Sequence, residues 1–327
     1  MEISVVIPTY KRPVLLQRCI EALMRQDLST SKYEIIVVDD AASEETWRQV
    51  ADWAILSDGP AVSYLSTSGK CGPATARNRG WRAAKGKLIA FTDDDTIPDK
   101  RWLSQGIAAF KADPDAIAAS GRVIVPLPDE PTDYERNEAN LATAEFVTAN
   151  CFVRRNILEA LGGFDERFRA AWREDSDLHF RLLAHAEHNG GSVIAAREAK
   201  VVHPVRPASW GISLWQQSKA QYNALLYKLH PLFYQQKIQH SPPWLYYSIA
   251  VTAFACFLFF FVSIYSVAII SLLVWAAQVM YFCAARLSNT SRKPLHVLEM
   301  LITSAVIPFL SVFWRIYGAF CYRVIFF

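Results

Sequence analysis

The sequence predicts an α/β domain, with a mostly parallel sheet and helices on both faces, followed by C-terminal transmembrane helices. Apolar runs rich in valine and isoleucine alternate with helical patterns over the first 240 residues, which is typical of parallel strands buried between helices. Beyond residue 240 the chain becomes almost free of charge. That uncharged run is longer than a single membrane span needs, which is about 20 residues.

The predicted elements follow one another regularly in the first 115 residues. Strands are predicted at residues 3–7, 34–38, 62–65 and 87–91, with helices at about 13–26 and 73–84. In such sheets ligands bind beyond the carboxyl ends of the strands. Asp39, Asp40 and the run Asp93, Asp94 and Asp95 lie at those ends. We therefore divide the domain into a ligand-binding half, 1–115, and a second half, 116–240.

The composition excludes several classes of protein. The net charge is +3, with 34 basic and 31 acidic residues, so no overall field indicates a nucleic-acid partner. The six cysteines form no C-x-x-C pair, which argues against a disulfide framework or a structural zinc site. No G-x-G-x-x-G or P-loop motif is found, which argues against dinucleotide and P-loop sites. The N-terminal segment starts a strand at once, so no secretory signal is expected.

The apolar tail predicts a multi-pass membrane protein. Residues 241–285 contain no Asp, Glu, Lys, Arg or His and fit two spans, at about 245–264 and 266–285. A third segment, about 295–317, is interrupted by Glu299 and Pro308, and either spans the membrane or lies in its interface. The loop after the second span carries Arg286, Arg292 and Lys293. By the positive-inside rule we expect residues 1–240 to face the cytoplasm, at the cell inner membrane.

The three consecutive aspartates predict a metal site. Alternate side chains of an extended strand share a face, so Asp93 and Asp95 point to one side and Asp94 points elsewhere. Two carboxylates on one side suit Mg²⁺ or Mn²⁺, which commonly also bind substrate phosphates. The alternative is a solvated acidic turn.

Six segments in order carry a family resemblance. They read SVVIPTYKRPVLLQRCIEAL, EIIVVDDAAS, GPATARNRGWRAAKG, FTDDDTIPDKRWL, TANCFVRRNILEALGGFDERF and REDSDLHFRL. Over residues 1 to about 205 the chain resembles glycosyltransferase family 2, whose members have the GT-A fold. One departure is Ala41-Ala42, where the family usually has Gly-Ser. The Q-x-x-R-W motif is missing, which favours transfer of single sugars over processive synthesis.

The resemblance implies roles for individual residues. Asp40, with Asp39, would hydrogen-bond the nucleotide base; a strand-end cap is the alternative for Asp39. Arg77 would pair with the pyrophosphate, or form a structural salt bridge. Asn150 and Glu174 would lie on the acceptor side. The other nucleotide-sugar contacts implied are Pro8, Thr9, Arg12 and Asp94.

The same resemblance implies a metal and a catalytic base. Asp93 and Asp95 match the metal-binding pair, and His203, just after the last core strand, would be a third ligand or a structural histidine. Asp175 shares an inward helix face with Leu178 and Leu182 and lies at a helix N-terminus, which favours the ionised carboxylate. First-turn acids are common, and only the match to the family's E-D motif makes Asp175 the expected base.

The predicted function is therefore metal-dependent, inverting transfer of a sugar from a nucleoside diphosphate, UDP first, with Mn²⁺ or Mg²⁺. The acceptor would be a hydroxyl of a lipid-linked or cell-envelope glycan, because the enzyme is tied to a bilayer. One alternative is transfer to a polyprenyl phosphate, which is already ionised and needs no base. Another is a non-catalytic membrane scaffold, against which the intact D-x-D and E-D motifs argue.

Overall fold

The computed structural model describes residues 1–56 and 58–326, and the chain divides into two compact units. The first unit contains Met1–Pro126 and Asn140–Val205, and the second contains Leu127–Ala139 and Arg206–Phe327. The sequence places the predicted boundary at residue 240. In the structure, residues 206–240 instead belong to the compact unit that also holds the apolar helices.

Eight strands of the first unit form one sheet. They are β1 (Ile3–Thr9), β2 (Tyr33–Asp39), β3 (Ala61–Ser66), β4 (Leu88–Thr92), β5 (Ile97–Pro98), β6 (Ala116–Ile124), β7 (Asn150–Arg154) and β8 (Ser192–Val202). Their order is β3-β2-β1-β4-β7-β6-β8-β5. The first four strands are parallel, and β7 is antiparallel to both of its neighbours. This arrangement confirms the predicted mostly parallel sheet.

Helices cover both faces of that sheet. They are α1 (Pro13–Met24), α2 (Glu44–Ala54), α3 (Pro73–Ala83), α4 (Trp102–Ala112), α6 (Arg155–Leu161) and α7 (Glu174–Asn189), while α5 (Asp133–Glu138) belongs to the second unit. The alternating side chains of β1 enter different cores. Val5 packs in the cluster that contains Leu16 of α1, and Val6 packs in the cluster that contains Leu178 of α7. Burial on both faces explains the continuous apolar strands.

One glycine brings α3 close to the sheet. A Cβ at Gly80 would lie 2.4 Å from Cγ1 of Val6, so only glycine allows this approach. The contact places α3, with Arg77 and Asn78 on its buried side, directly against β1.

The second unit holds the remaining helices. These are α8 (Ile212–Gln216), α9 (Gln221–Leu229), α10 (Pro231–Phe233), α11 (Trp244–Phe261), α12 (Tyr265–Leu287) and α13 (Pro294–Tyr322). Ser263, with φ +62°, lies in the short turn between α11 and α12. By length and composition α11, α12 and α13 could each cross a membrane. The third apolar segment is thus one continuous helix through Pro308.

Candidate active site

The carboxylates after β4 lie beside a histidine from the end of β8. Ligand atoms of Asp93, Asp95 and His203 all lie within 4.8 Å of one another. Nε2 of His203 is 3.3 Å from Oδ1 of Asp95, and both side chains are buried. The fold therefore brings together the three residues that the sequence nominates as metal ligands.

Asp94 bonds to residues outside that group, but it lies in the turn after β4, so the strand alternation assumed in the prediction does not extend to it. Its carboxylate accepts hydrogen bonds from Oγ1 of Thr9 at 2.8 Å and from Nη1 of Arg12 at 3.0 Å. Burial raises the pKa of Asp94 to about 6, although Arg12 opposes the rise. Asp94 thus ties the turn after β4 to the end of β1, where Pro8 also lies, and to Arg12 just before α1.

Arg77 joins the aspartates to the start of α7. Its Nη2 is 2.7 Å from Oδ1 of Asp93, and its Nη1 is 3.1 Å from Oε1 of Glu174. The arginine side chain is 2% exposed, and its guanidinium lies over the ring of Phe164 at 5.7 Å. Charges this deeply buried require partners, and here the partners are two acids from different elements.

The N-terminus of α7 carries two acids with different surroundings. Glu174 is buried and Asp175 is half-buried. Burial raises the pKa of Glu174 to about 7, with Asp175 adding to the rise and Arg77 opposing it. Burial also raises the pKa of Asp175, against the hydrogen bond that the Ser176 N–H donates to it at 2.6 Å. The two neighbouring carboxyl groups therefore have different partners: Arg77 for Glu174 and the Ser176 N–H for Asp175.

The two aspartates at the end of β2 bond to the turn that follows them and to the loop before α3. Asp39 is fully buried and accepts hydrogen bonds from the N–H groups of Ala41 and Ser43, which is the strand-end cap. Asp40 accepts from the N–H groups of Cys71 and Gly72, both at 2.8 Å. Asp40 thereby shapes the loop that leads into α3.

Two asparagines of the matched motifs have their side chains inside the fold. Asn150 is fully buried; it accepts from Nε1 of Trp102 and donates to carbonyls of Arg122 and Ala199. In this structure it joins strands rather than facing an acceptor. Asn78 likewise ties α3 to the segment around Phe164.

Two contributors to the site were not found from the sequence. Arg173 precedes α7 with φ +76°, and its charge opposes the rise in the pKa of Asp175. Phe164 lies beneath Arg77. The positive φ has no signal in the sequence, because arginine does not favour that conformation. Phe164 belongs to a matched motif, but its contact with Arg77 depends on the tertiary structure.

The three clustered side chains fit a divalent cation. Nδ1 of His203 is buried and has no hydrogen-bond partner among the described residues, and Asp95 is close enough to bind the same ion as Nε2. Two carboxylates and one imidazole form a donor set suited to a first-row divalent metal, Mn²⁺ included.

Comparison with known families decides the class of protein. The sequence profile described as Glycosyl transferase family 2 matches residues 4–168, and that described as Glycosyl transferase family group 2 matches residues 88–288. The chain belongs to glycosyltransferase family 2. The site described above is therefore the candidate active site of a glycosyltransferase.

Curated relatives in this family are glycosyltransferases of several kinds. Glycosyltransferase AglE of Haloferax volcanii is 28% identical over 214 residues, covering 63% of this chain and 67% of that protein. Validoxylamine A glucosyltransferase of Streptomyces hygroscopicus is 26% identical, and the match spans 64% of this chain and 54% of the relative. A Campylobacter jejuni protein, GalNAc(5)-diNAcBac-PP-undecaprenol beta-1,3-glucosyltransferase, is 36% identical over 29% of each chain.

Solved glycosyltransferase structures share the fold. A mannosyltransferase from Pyrobaculum calidifontis, in complex with GDP-Man and Mn²⁺, aligns with TM-score 0.62 and 19% identity, covering 97% of this chain and 87% of that one. TarS of S. aureus aligns with TM-score 0.50 and 18% identity, covering 73% of this chain and 46% of that one. These likenesses confirm the GT-A-like architecture.

Proposed function

We propose that this chain is a metal-dependent, inverting glycosyltransferase anchored to the cytoplasmic membrane. Its donor would be a nucleoside diphosphate sugar, and its acceptor a hydroxyl of a lipid-linked or cell-envelope glycan. The observation that supports this best is the joining of two groups by one buried arginine. Arg77 contacts Asp93 of the metal-ligand cluster and Glu174, the neighbour of the candidate base Asp175.

The donor-side residues provide positive charge for a diphosphate. Arg12 lies beside Asp94 and Asp95 with a side chain that is 38% exposed, so its guanidinium can reach a phosphate as well as a carboxylate. A divalent cation held by Asp93, Asp95 and His203 would neutralise charge that develops on the departing diphosphate. UDP is the first nucleotide to test, and GDP is the second because the Pyrobaculum neighbour was solved with GDP-Man.

Asp175 is the proposed general base. Its half-buried carboxylate lies at the N-terminus of α7, and burial raises its pKa, which brings a base closer to the operating pH. The acceptor hydroxyl gives its proton to Asp175, its oxygen forms a bond to the anomeric carbon, and the bond from that carbon to the diphosphate breaks. Attack opposite the leaving group inverts the configuration.

The test is transfer by the purified protein in detergent micelles, from labelled UDP- and GDP-sugars to lipid extract. We expect activity with Mn²⁺ or Mg²⁺, none in excess EDTA, and recovery when metal is restored. Asp95→Asn should abolish transfer and metal-dependent nucleotide binding. Asp99→Asn is the matched control, because Asp99 is an exposed aspartate four residues further on. Full activity in EDTA, or an active Asp95→Asn protein, contradicts the metal role.

The effect of replacing Asp175 distinguishes the two possible classes of acceptor, a sugar hydroxyl and a polyprenyl phosphate. The relative from Campylobacter jejuni is named for action on an undecaprenol-linked glycan, which supports a hydroxyl acceptor on a lipid carrier. Transfer to a sugar hydroxyl requires the base, whereas transfer to a polyprenyl phosphate does not. Transfer by Asp175→Asn to undecaprenyl phosphate, but not to lipid-linked glycan, would support the second acceptor.

A further inference from the structure

The third apolar helix, α13, has two chemically different faces. Six large apolar residues, spaced so that they fall within about 60° of one another at 100° per residue, form an exposed stripe. We name it the apolar stripe: Leu298, Ile302, Phe309, Phe313, Ile316 and Phe320. The opposite face is buried within the second unit and includes polar side chains. These are His296, Thr303, Ser304, Ser311 and Arg315.

The start of α13 contacts a polar segment inserted between β6 and β7. The N–H of Ser291, just before the helix, donates to the carbonyl of Pro131 at 2.8 Å. Arg286 at the end of α12 donates to Asp133 at 2.7 Å and to Oγ1 of Thr303 at 2.7 Å. Residues 127–139 come between strands of the sheet. They therefore lie on the same side of the membrane as the catalytic domain.

The end of α13 contacts the segment that precedes α11 along the chain. Nη1 of Arg315 donates to Oε1 of Gln239 at 3.1 Å. Nζ of Lys228 donates to the carbonyl of Tyr322 at 2.7 Å. A Cβ at Gly318 would lie 2.4 Å from the carbonyl oxygen of Gln221. No membrane span intervenes between the catalytic domain and these residues, so they too lie on its side.

The direction of α13 can be compared with that of the hairpin formed by α11 and α12. Gln278 bonds to Ser248 at 2.7 Å, and the rings of Tyr246 and Phe282 are 5.2 Å apart. The two helices are therefore antiparallel, with the start of α11 and the end of α12 at one open end. Met300 of α13 packs against Leu287 at this open end.

A spanning α13 is incompatible with these contacts. Such a helix would carry Arg315 about 30 Å from Pro294, across a hydrocarbon core of about 30 Å. Yet Gln239, the partner of Arg315, is five residues before α11 begins. Both ends of α13 therefore lie at the open end of the hairpin, and the helix crosses that end instead of running beside it.

We propose that α13 lies in the plane of the membrane interface, with its apolar stripe inserted into the lipid leaflet on the catalytic side. The partner of the stripe is the acyl region of that leaflet, continuous with the lipid around α11 and α12. Exposed Trp210, Trp215 and Trp244 belong to the same interfacial level, which tryptophan favours. The chain then has two spans, and Arg323 stays with the other cations on one side.

A cysteine test separates the two topologies. Ser288→Cys after α12, Ser266→Cys beside the hairpin turn and Arg323→Cys after α13 place reporters at three exposed positions. The background replaces the three cysteines that are not buried with serine: Cys71, Cys256 and Cys321. A membrane-impermeant maleimide is added to intact cells and to inverted vesicles. We expect positions 323 and 288 to be labelled in the same preparation and position 266 in the other one, whatever the absolute orientation of the protein. Labelling of position 323 in the same preparation as position 266 would overturn the proposal.

The depth of the helix gives a second, independent readout. Leu298→Cys, Phe309→Cys and Ile316→Cys, each labelled with a fluorophore, are reconstituted in phosphatidylcholine–phosphatidylglycerol vesicles that contain lipid-borne quenchers at known depths. An in-plane helix gives three equal, shallow depths, while a spanning helix gives a deep central label. Absence of lipid quenching at all three positions would mean that another copy of the chain covers the stripe, and would overturn the lipid assignment. Neither measurement depends on sugar transfer.

Discussion

Replacing Arg77 with methionine should destabilise the first unit strongly. The guanidinium compensates Glu174, whose side chain is 4% exposed, and Asp93, whose side chain is 27% exposed. Breaking a buried ion pair by removing one partner costs about 3–5 kcal/mol. Most of this loss should come from Glu174, because solvent screens the more exposed Asp93. Arg77→Met keeps the length of the side chain and removes only the charge and its hydrogen bonds.

The loss should depend on pH. Without Arg77 the pKa of Glu174 rises beyond its present value of about 7, so the folded variant takes up a proton that the unfolded chain does not hold. Below this pKa the buried acid is neutral and the missing cation matters less. We expect the full loss of about 3–5 kcal/mol near pH 8.5 and a clearly smaller loss near pH 6.

Urea unfolding in detergent, followed by tryptophan fluorescence, measures this loss. Arg79→Met is the control, since Arg79 is exposed on the same helix and should change stability by less than about 0.5 kcal/mol. The double variant Arg77→Met/Glu174→Gln should recover part of the loss, because it removes the uncompensated acid. Equal stability of the two single arginine variants, or additive effects in the double variant, would refute the bridging role.

Asp175→Asn should fold and bind nucleotide and metal, with turnover to a hydroxyl acceptor lowered about 10²–10⁴-fold; turnover within a few-fold of the parent rejects the base assignment. His203→Ala should weaken Mn²⁺ activation by about 10–100-fold, because losing even a residue that only supports a metal ligand has an effect of this size. Activity is measured against Mn²⁺ concentration, with the exposed His188→Ala as the control. Equal curves for the two variants would show that His203 is not a metal ligand. The stability of Glu174→Gln relative to the parent should rise by about 1–3 kcal/mol as the pH is raised from 5 to 8. The parent loses stability over this range because its buried carboxyl, with a pKa of about 7, must release a proton, and the variant has no such carboxyl. Urea unfolding at both pH values tests it, and a difference that does not vary with pH contradicts it.

Much of the first unit follows from local patterns. The predicted strands 34–38 and 87–91 agree within two residues with the observed β2 and β4, because a strand buried on both faces is largely apolar. The contacts of Asp94 and of the Asp93–Asp95 pair form in the turn after β4, which ends at Thr92, so strand alternation does not account for them.

The sequence by itself determined the α/β sheet, the aspartates at its carboxyl edge and the uncharged hairpin, because each depends on neighbouring residues and their period. Only the tertiary structure decided which distant groups meet. It placed His203 against Asp95, joined Arg77 to Glu174, and turned Asn150 inward. It also supplied the contacts of the third apolar helix on which its proposed interfacial position rests, whereas the sequence left spanning and interfacial positions open. Hydropathy measures how well a helix tolerates lipid. The direction in which the helix runs depends instead on the partners of its buried face, such as Gln239 for Arg315, and these partners are distant in the sequence.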